Sequence, residues 1–374
     1  MYFDNNANIP MTSNILSAYG QGAKLGNISN ESKNAKIGQK CRMELVNYLK
    51  NLFPGFEVVL NSGGSESNST IIRNFEHNHM ICGTTEHSSI TEIVKDLNVS
   101  WVYPKFTGHI PIAEIAKNIN GNTKLIFLQS INSETGAIQN LPELVNLLPS
   151  GMALHIDHVQ GFLKHKLQIA NRKDLHISIS VSFHKIGAPI GFGALITNYK
   201  YMPLIGGTQN GGMRGGTYNA PAILATIRAI KDYNYAKIIK LRAHFDQLIN
   251  NHFVVKSISD FLALLEKGQI NGSYIVIFSC NGCLPHTIFM SIGKNNIIYC
   301  NKVIKSFLQE KNITIGYGSA CSNEKKKDFD DIGSMASCKD IPRELKNGFI
   351  RISLSCYNKK NEINYLVNAL KEFS

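Results

Sequence analysis

Cysteines and long apolar runs are both scarce in this sequence, and each shortage argues against a class of protein. Eight cysteines in 374 residues are too few for the disulfide framework of a secreted scaffold. Apolar runs such as residues 274–278 end after a few positions, whereas a membrane span needs about 18 residues. The first residues lack the basic and apolar regions of a secretory signal. We therefore expect a protein of the reducing cytoplasm that has no membrane segment.

A recognised base-reading module is also missing, although the chain is basic. The formal net charge is +12. Most lysines are scattered along the chain, and the one tight run is residues 325–327. Dispersed charge without a nucleic-acid motif does not indicate nucleic acid as the primary partner.

The order of predicted elements indicates an α/β protein with more than one domain. At 374 residues and 43% hydrophobic content, the chain exceeds the size at which a single core usually splits. Short β-like runs alternate with helical segments through the first two hundred residues, which favours a mostly parallel sheet covered by helices. We predict an N-terminal segment at residues 1–15 that packs with the small domain, a large domain at residues 16–250 and a small α+β domain at residues 251–374.

The second half of the chain shows a different pattern. A glycine-rich patch at residues 206–217 marks a loop, and one long helix is predicted from about residue 221 to 250. Beyond it, the pattern predicts a strand at residues 274–279 and helices at about 286–291, 301–311 and 360–373. These elements are typical of an α+β domain.

Polar residues follow several predicted strands, at the edge where ligands gather in α/β sheets. Lys185 closes the apolar, β-branched run 175–185, a placement that indicates a buried amine with a chemical role. Asp157 likewise closes the run 153–157. A lysine that can form a Schiff base and a carboxylate that can pair with a pyridinium nitrogen are the minimum equipment of a pyridoxal phosphate (PLP) enzyme.

Two further stretches fit that interpretation. The Ser-Gly-Gly-Ser-Glu-Ser-Asn stretch at residues 62–68 lies between a predicted strand and helix, where backbone N–H groups around Gly64 can hold a phosphate. His87 could lay its imidazole flat against a cofactor ring. Each also has an ordinary structural interpretation, a serine-rich helix cap and a hydrogen-bonded loop histidine.

Cys321 lies in a loop of small residues, Gly-Tyr-Gly-Ser-Ala-Cys. The lysines at 325–327 favour a thiolate over a thiol, whose free pKa is about 8.5. The alternative is that Cys321 packs as a small hydrophobe, but the glycine, serine and alanine around it argue against tight packing. We therefore predict a reactive nucleophile.

In this order, the motifs resemble the NifS/IscS-type cysteine desulfurases, fold-type I PLP enzymes of the class-V aminotransferase family. The matching stations cover nearly the whole chain, at residues 2–7, 26–27, 62–68, 85–88, 134–136, 155–160, 182–185, 214–219, 318–321 and 351–354. The resemblance implies a large PLP-binding domain with a mostly parallel seven-stranded sheet. It also implies a small α+β C-terminal domain that carries the cysteine loop.

The resemblance assigns roles to the residues around the cofactor. It implies that Lys185 forms the Schiff base, Asp157 pairs with the pyridine nitrogen, Gln160 contacts the ring hydroxyl and His87 stacks on the ring and takes part in catalysis. The phosphate would be held by Gly64, Ser65, Ser182 and His184. Thr217 would reach a phosphate in the partner subunit, so the resemblance implies a homodimer with shared sites.

The resemblance also implies the substrate and the reaction. Arg351 would bind the carboxylate of L-cysteine as a bidentate fork, which lysine could not reproduce, and Asn132 would contact the substrate. Ser133 would contact the cofactor. Cys321 would take the substrate sulfur as a persulfide, with release of alanine, and pass it to a protein acceptor for iron–sulfur cluster assembly or for thiolation.

Departures from the family leave other functions open. Ser133 stands where the family has asparagine, and His158 replaces a small residue after Asp157. Selenocysteine lyase activity, another PLP lyase or an aminotransferase would use much of the same equipment, and a degenerate relative could serve as a sulfur-transfer scaffold. The pair at Cys280 and Cys283 lacks the second pair that a structural zinc site needs, so we predict no metal.

Overall fold

The computed structural model describes residues 1–169, 172–266, 271–279, 282–295, 297–317 and 334–374. Its strands are β1 (Tyr2–Phe3), β2 (Glu57–Asn61), β3 (His79–Gly83), β4 (Val99–Val102), β5 (Thr123–Gln129), β6 (Ala153–Asp157), β7 (His176–Ser182), β8 (Gly193–Thr197), β9 (Val254–Ser257), β10 (Ser273–Ile277), β11 (Thr287–Lys294), β12 (Ile297–Ile298), β13 (Thr314–Ile315) and β14 (Ile350–Ser353). Its helices are α1 (Ser13–Ala23), α2 (Lys33–Leu52), α3 (Gly64–Phe75), α4 (Ser88–Val94), α5 (Ile112–Asn118), α6 (Leu141–Leu147), α7 (Ala220–Asp232), α8 (Tyr235–His252), α9 (Ile258–Glu266), α10 (Asn301–Glu310), α11 (Arg343–Lys346) and α12 (Lys360–Phe373).

Seven strands of the described chain form one sheet in the order β2-β8-β7-β6-β5-β3-β4. Neighbours from β7 to β4 pair in parallel, whereas β8 is antiparallel to both β7 and β2. The predicted α/β fold with a mostly parallel seven-stranded sheet is confirmed. Ile126 and Leu128 pack in one core and Leu125 and Phe127 in another, because successive strand residues point to opposite faces and helices cover both.

The register of the sheet brings polar strand ends to one edge. Gln129 at the end of β5 pairs with Asp157 at the end of β6. Asn61 and Ser182, which end β2 and β7, both pair with Gly193. The loops that follow these strands therefore start side by side, as expected where α/β sheets bind ligands.

A second sheet forms from later residues. Strand β11 lies between β10 on one side and both β12 and β14 on the other, and β9 extends the sheet beyond β10. Helices α8, α10 and α12 cover it through a separate hydrophobic core. At the start of the chain, β1 pairs in parallel with β13, and Phe3 joins this second core.

Two helix predictions are wrong: one predicted long helix is two helices, and one predicted helix is a strand. The long helix predicted at 221–250 is interrupted, because Tyr233 has an extended backbone and Asn234 caps α8 by accepting the Lys237 N–H. The helix predicted at 286–291 is β11, a run with threonine, isoleucine and phenylalanine whose edges pair with β10 and β14 and whose two faces pack in separate hydrophobic cores. Such residues fit a pleated, buried surface better than a helix.

None of the helices within the described ranges is both long and apolar enough to cross a membrane. The buried side chains of α8, such as Phe245 and Ile249, pack in the second core. The domain boundaries at residues 15 and 250 stay predictions.

Candidate active site

Two polar side chains of the predicted site, those of Gln160 and Lys185, meet at the backbone of Asn6. Gln160 Nε2 donates a hydrogen bond to Asn6 O at 2.9 Å. Lys185 Nζ donates to the same carbonyl and, at 2.9 Å, to Ala7 O. Asp157 lies at the start of the turn that carries Gln160, and all three side chains are buried. We call Asp157, Gln160 and Lys185 the ring pocket.

Lys185 is placed by the turn that follows β7. Residues Phe183–Ile186 form a short 3₁₀ helix, which ends at Gly187 in the left-handed region (φ +90°). The N–H of Ile9 donates to His184 O at 3.2 Å, so the N-terminal segment is fastened to the same turn. These contacts bring the lysine and its carbonyl acceptors together.

Asp157 receives a directed series of hydrogen bonds. The N–H of Val159 donates to Oδ1 at 3.0 Å, and Asn68 Nδ2 donates to Oδ2 at 3.3 Å. The Asn68 Oδ1 atom lies 2.8 Å from His155 Nε2, and His155 Nδ1 lies 2.8 Å from Ser178 Oγ. Burial lowers the pKa of His155 to about 3, so the ring is neutral. Since Oδ1 only accepts, Nε2 carries the proton, and the series runs from Ser178 towards Asp157.

A second carboxyl group, Glu86, lies near Asp157 and is fully buried. The N–H of Gln129, which pairs with Asp157 in the sheet, donates to Glu86 Oε1 at 2.7 Å. Burial raises the pKa of Glu86 to about 8; the Gln129 N–H opposes the rise and the charge of Asp157 adds to it. Glu86 is therefore mostly uncharged at neutral pH and does not compete with Asp157 for a cation.

His87 caps α4 and is linked to the same network. Its Nδ1 accepts the Ser89 N–H at 3.1 Å and lies 2.8 Å from Ser89 Oγ. Ser89 Oγ in turn accepts from Asn68 Nδ2 at 2.9 Å, and Asn68 reaches Asp157. His87 itself is exposed, which leaves the imidazole accessible to a ring bound in front of Asp157.

The loop between β2 and α3 forms a narrow backbone cradle. Gly63 has φ +131°, and the N–H of Gly64 donates to Ser182 Oγ at 2.7 Å. A Cβ on Gly64 would lie 2.8 Å from Val159, and a Cβ on Gly193 would lie 2.6 Å from the Cα of Gly63. Glycine is therefore required for this close approach, and the N-terminal end of α3 opens onto the cradle.

The other predicted phosphate residues lie at different depths. His184 is half-buried; burial, then the charges of Lys185, Lys164 and His87, lower its pKa to about 3. Ser65, in the first turn of α3, and Thr217, in the glycine-rich loop, are exposed. Arg214 joins these two regions by a bidentate contact with Glu66 at 2.9 and 3.2 Å.

Arg351 lies in β14 and has no exposed surface. Its Nη2 atom lies 2.6 Å from Asp4 Oδ1, and its Nη1 donates to Ser133 O at 3.2 Å. A Cβ on Gly316 would lie 2.8 Å from Nη2, so glycine leaves the space that the guanidinium occupies. We call Arg351, Asp4 and Ser133 the arginine pocket.

The turn that begins at Asn132 holds this pocket from one side. Asn132 Oδ1 accepts the N–H groups of Glu134 and Thr135, both at 2.9 Å. Asn132 therefore shapes the turn, and Ser133 contributes its carbonyl oxygen to the arginine pocket. On the other side of the turn, Glu134 Oε2 accepts the Met335 N–H at 3.1 Å. Burial raises the pKa of Glu134 to about 7, against the effects of Met335 and Arg351.

The donor set of the ring pocket fits PLP. Among the described residues, the buried atoms Gln160 Oε1 and Asn6 Oδ1 have no hydrogen-bond partner, which is unusual for buried polar groups and is expected where a polar ring belongs. The cradle at Gly64 matches a phosphate. No group of three or more metal-ligating side chains occurs in the ranges that the structure describes, and Cys280 lies outside them.

Cys321 also lies outside the described residues, but both flanks of its segment are described. On one side, Gly316 exchanges two backbone hydrogen bonds with Arg351, each at 2.9 Å. On the other side, Met335 is bonded to Glu134, next to Ser133. The segment that contains Cys321 therefore leaves and re-enters the described structure beside the arginine pocket.

Sequence reasoning gave no role to several residues that build the site. Asn6, Asn68, Glu86 and His155 lie within the matching motifs, but the sequence alone assigns no role to them or to Lys164. The signal for the first four was present, because each is a polar residue inside a motif that meets a strand end. Asp4 lies in the first motif too, but the sequence does not indicate its partner, because Arg351 is 347 positions away.

Comparisons with known proteins agree with this geometry. The profile of the family described as "Aminotransferase class-V" matches residues 1–366. A curated protein named cysteine desulfurase IscS, from Buchnera aphidicola subsp. Baizongia pistaciae, is 26% identical over 342 residues, covering 84% of this chain and 76% of that protein.

Solved structures show the same fold. A NifS-like protein from Rickettsia africae ESF-5 has a TM-score of 0.77 at 22% identity, covering 100% of this chain and 98% of that one. A structure titled "SspA in complex with cysteine" has a TM-score of 0.73 at 23% identity, covering 96% and 99% of the two chains. Together with the profile match over nearly its whole length, these similarities show that the chain belongs to the class-V aminotransferase family.

Proposed function

We propose that this protein is a PLP-dependent cysteine desulfurase that transfers the sulfur of L-cysteine to Cys321 and releases L-alanine. The observation that carries the proposal is the position of the two flanks of the Cys321 segment beside Arg351. Cys321 is five positions beyond Gly316, so chain length alone keeps the two Cα atoms within about 18 Å. A thiol tethered there can reach a substrate whose carboxylate is bound by Arg351.

The residues of the ring pocket, together with His87, then have tasks in the reaction. When bound, PLP supplies an electron sink for the negative charge that develops at the substrate α-carbon. Lys185 would hold the cofactor and would take the α-proton of the substrate. Asp157 would pair with the ring nitrogen, Gln160 would contact the ring hydroxyl, and His87 would cover the ring.

The phosphate and the substrate would be held at opposite ends of the site. The N–H groups around Gly64, together with Ser65, Ser182 and His184, would bind the phosphate. Arg351 would bind the substrate carboxylate alongside Asp4, in a geometry that its planar fork allows.

The sulfur step balances without an added reductant or oxidant. The Cys321 thiolate attacks the substrate sulfur, the carbon–sulfur bond breaks, and a sulfur–sulfur bond forms on the enzyme. The electron pair of the broken bond stays with the substrate carbon, which is protonated to give alanine. The resulting persulfide would be passed to a protein acceptor for iron–sulfur cluster assembly or thiolation, in the cytoplasmic setting predicted from the sparse cysteines.

A homodimer is part of the proposal. Large apolar side chains are exposed on the described surface, among them Ile190 (74% exposed), Met202 (68% exposed) and Ile205 (40% exposed), and Ile205 O accepts the N–H of Gly215 in the Thr217 loop at 2.9 Å. Exposed apolar surface of this kind is typical of association sites. A partner seated there would bury these side chains and bring its own Thr217 towards the phosphate. Light scattering should give twice the mass of one chain, and Met202→Glu should reduce the measured mass to that of one chain.

The activity test supplies the purified, PLP-loaded protein with L-cysteine and a thiol reductant and measures alanine and sulfide. A desulfurase produces the two in equal amounts. Keto-acid-dependent product without sulfide would favour an aminotransferase, and turnover of L-selenocysteine alone would favour a selenocysteine lyase. Protein that acquires no PLP absorption band would favour the scaffold function.

A further inference from the structure

Lys164 is a second buried amine near the ring pocket, and the proposed reaction gives it no task. It is 7% exposed and lies four positions after Gln160. The preceding Leu163 is in the left-handed region (φ +58°), and the N–H of Lys164 donates to Gly161 O at 2.8 Å. Lysine is almost never buried without a partner of opposite charge, so this placement requires an explanation.

The turn that carries Lys164 packs against the turn that carries Lys185. The rings of Phe162 and Phe183, each two positions before its lysine, are in edge contact with centroids 5.5 Å apart. Gln160 and Lys185 also donate to the same acceptor, Asn6 O. The two lysines therefore extend from neighbouring turns, and a positive charge on Lys185 disfavours one on Lys164.

The titratable groups close enough to interact electrostatically with Lys164 are basic or neutral. They come from four elements: Lys185 and His184 from the turn after β7, His158 from its own turn, His286 from before β11, and Cys356 from after β14. No described carboxylate forms an ion pair with Lys164. Burial, then the charge of Lys185, lower the pKa of Lys164 to about 7, while Cys356 opposes the change. The amine therefore changes charge near neutral pH.

We propose that Lys164 is a positioning residue that sets the proton affinity of the nitrogen by which Lys185 holds the cofactor. A buried positive charge close to a second nitrogen disfavours a proton on that nitrogen. With Lys164 charged, the cofactor-bound nitrogen gives up its proton at lower pH. The inference rests on the proposed function, because it requires PLP on Lys185.

The test follows the absorption band of bound PLP from about pH 6 to 9, without substrate, and so does not depend on turnover. Lys164→Met should raise the midpoint of the spectral titration by about one pH unit, since it removes a nearby charge. Lys164→Arg, which keeps the charge at every pH, should hold the midpoint at or below that of the unchanged protein. Lys166→Met is the matched control, because Lys166 lies two positions away and is exposed.

A midpoint in Lys164→Met within about 0.2 units of the unchanged protein would overturn the inference, as would an equal shift in Lys166→Met. If Lys164→Met fails to fold by circular dichroism, Lys164→Gln takes its place with the same expectation. If the unchanged protein shows no PLP band at all, the proposed function is contradicted. If it shows a normal band and Lys164→Met does not shift the midpoint, only the role of Lys164 is contradicted.

Discussion

The ring pocket and the arginine pocket are both buried, but they are assembled from different distances along the chain. Asp157, Gln160 and Lys185 follow adjacent strands of one sheet. The arginine pocket joins Arg351 to Asp4 across 347 positions and to Ser133 across 218 positions. The ring pocket is thus a product of the large sheet, whereas the arginine pocket exists only when the N-terminus and β14 have closed on that sheet.

Asn6 is the residue that the two pockets share. Its carbonyl accepts from Gln160 and Lys185, and its Nδ2 donates to Ser133 O at 3.0 Å. One residue therefore connects the two pockets. Each pocket can be disrupted separately, and the following changes are expected to separate their functions.

Replacing Lys185 with alanine should have the largest effect, because it removes the group that we propose both holds the cofactor and moves the proton. We expect loss of the PLP band and a fall in kcat of about 10²- to 10⁴-fold or more, the range for a positioned acid–base group. Absorbance and alanine production measure the two effects. Lys166→Ala is the control, and retention of both signals in Lys185→Ala would contradict the ring pocket.

Arg351→Lys should damage the arginine pocket alone. Lysine cannot reproduce the planar fork that contacts Asp4 and Ser133 together, so KM for L-cysteine should rise by about 10- to 100-fold, the equivalent of one or two charge-assisted hydrogen bonds. The PLP band should remain. Arg228→Lys, at an exposed pair with Asp232, is the control. An unchanged KM would remove Arg351 from substrate binding.

Glu86→Gln should reveal the uncharged acid beside Asp157. The folded protein keeps a proton on Glu86 up to about pH 8, while the unfolded chain loses it near 4.5. This group therefore makes stability fall as pH rises between those values. We expect the melting temperature of Glu86→Gln to depend less on pH over that window than that of the unchanged protein. Equal slopes, with exposed Glu31→Gln as the control, would mean that Glu86 is already ionised.

Gly161→Ala tests the packing that supports the ring pocket, and its effect should be the smallest. An added Cβ would lie 2.4 Å from the His158 ring, whose Nδ1 contacts Ser130 Oγ at 2.8 Å. We expect a loss of about 1–3 kcal/mol in the free energy of unfolding, as for other overpacked sites. Adding His158→Ala should relieve the clash.

Gly20→Ala is the control for that change. Gly20 lies in α1 with nothing within 4 Å of an added Cβ. Alanine there should raise the free energy of unfolding by about 1 kcal/mol. A Gly161→Ala protein as stable as the unchanged one would show that His158 has space to move.

Sequence reasoning succeeded where local pattern and sheet geometry decide the outcome. The β-branched runs that lead to Asp157 and Lys185 predicted two strands, and the structure has them as β6 and β7. Helical periodicity was less informative where tertiary contacts decide the secondary structure. Strand β11 is the example, because it pairs with β10 and β14. The pairing of Asp4 with Arg351 could not be read from pattern, because nothing in either segment specifies the other.

The departure at His158 shows the same limit. A histidine in place of a small residue suggested an altered site. The structure instead turns the ring away into contact with Phe53 and Ser130, in space that Gly161 leaves open. Gly161 lies three positions after His158, but only the fold shows that it leaves space for the histidine ring.

The most direct test of convergence between the two pockets is to locate the transferred sulfur. The PLP-loaded protein is mixed with L-cysteine labelled at sulfur, trapped by alkylation and analysed by peptide mass spectrometry, beside Cys321→Ser. We predict labelled persulfide on the peptide that contains Cys321, and, in Cys321→Ser, an intact PLP band with no labelled peptide and no sulfide release. Label on another cysteine, or undiminished sulfide from Cys321→Ser, would contradict the account.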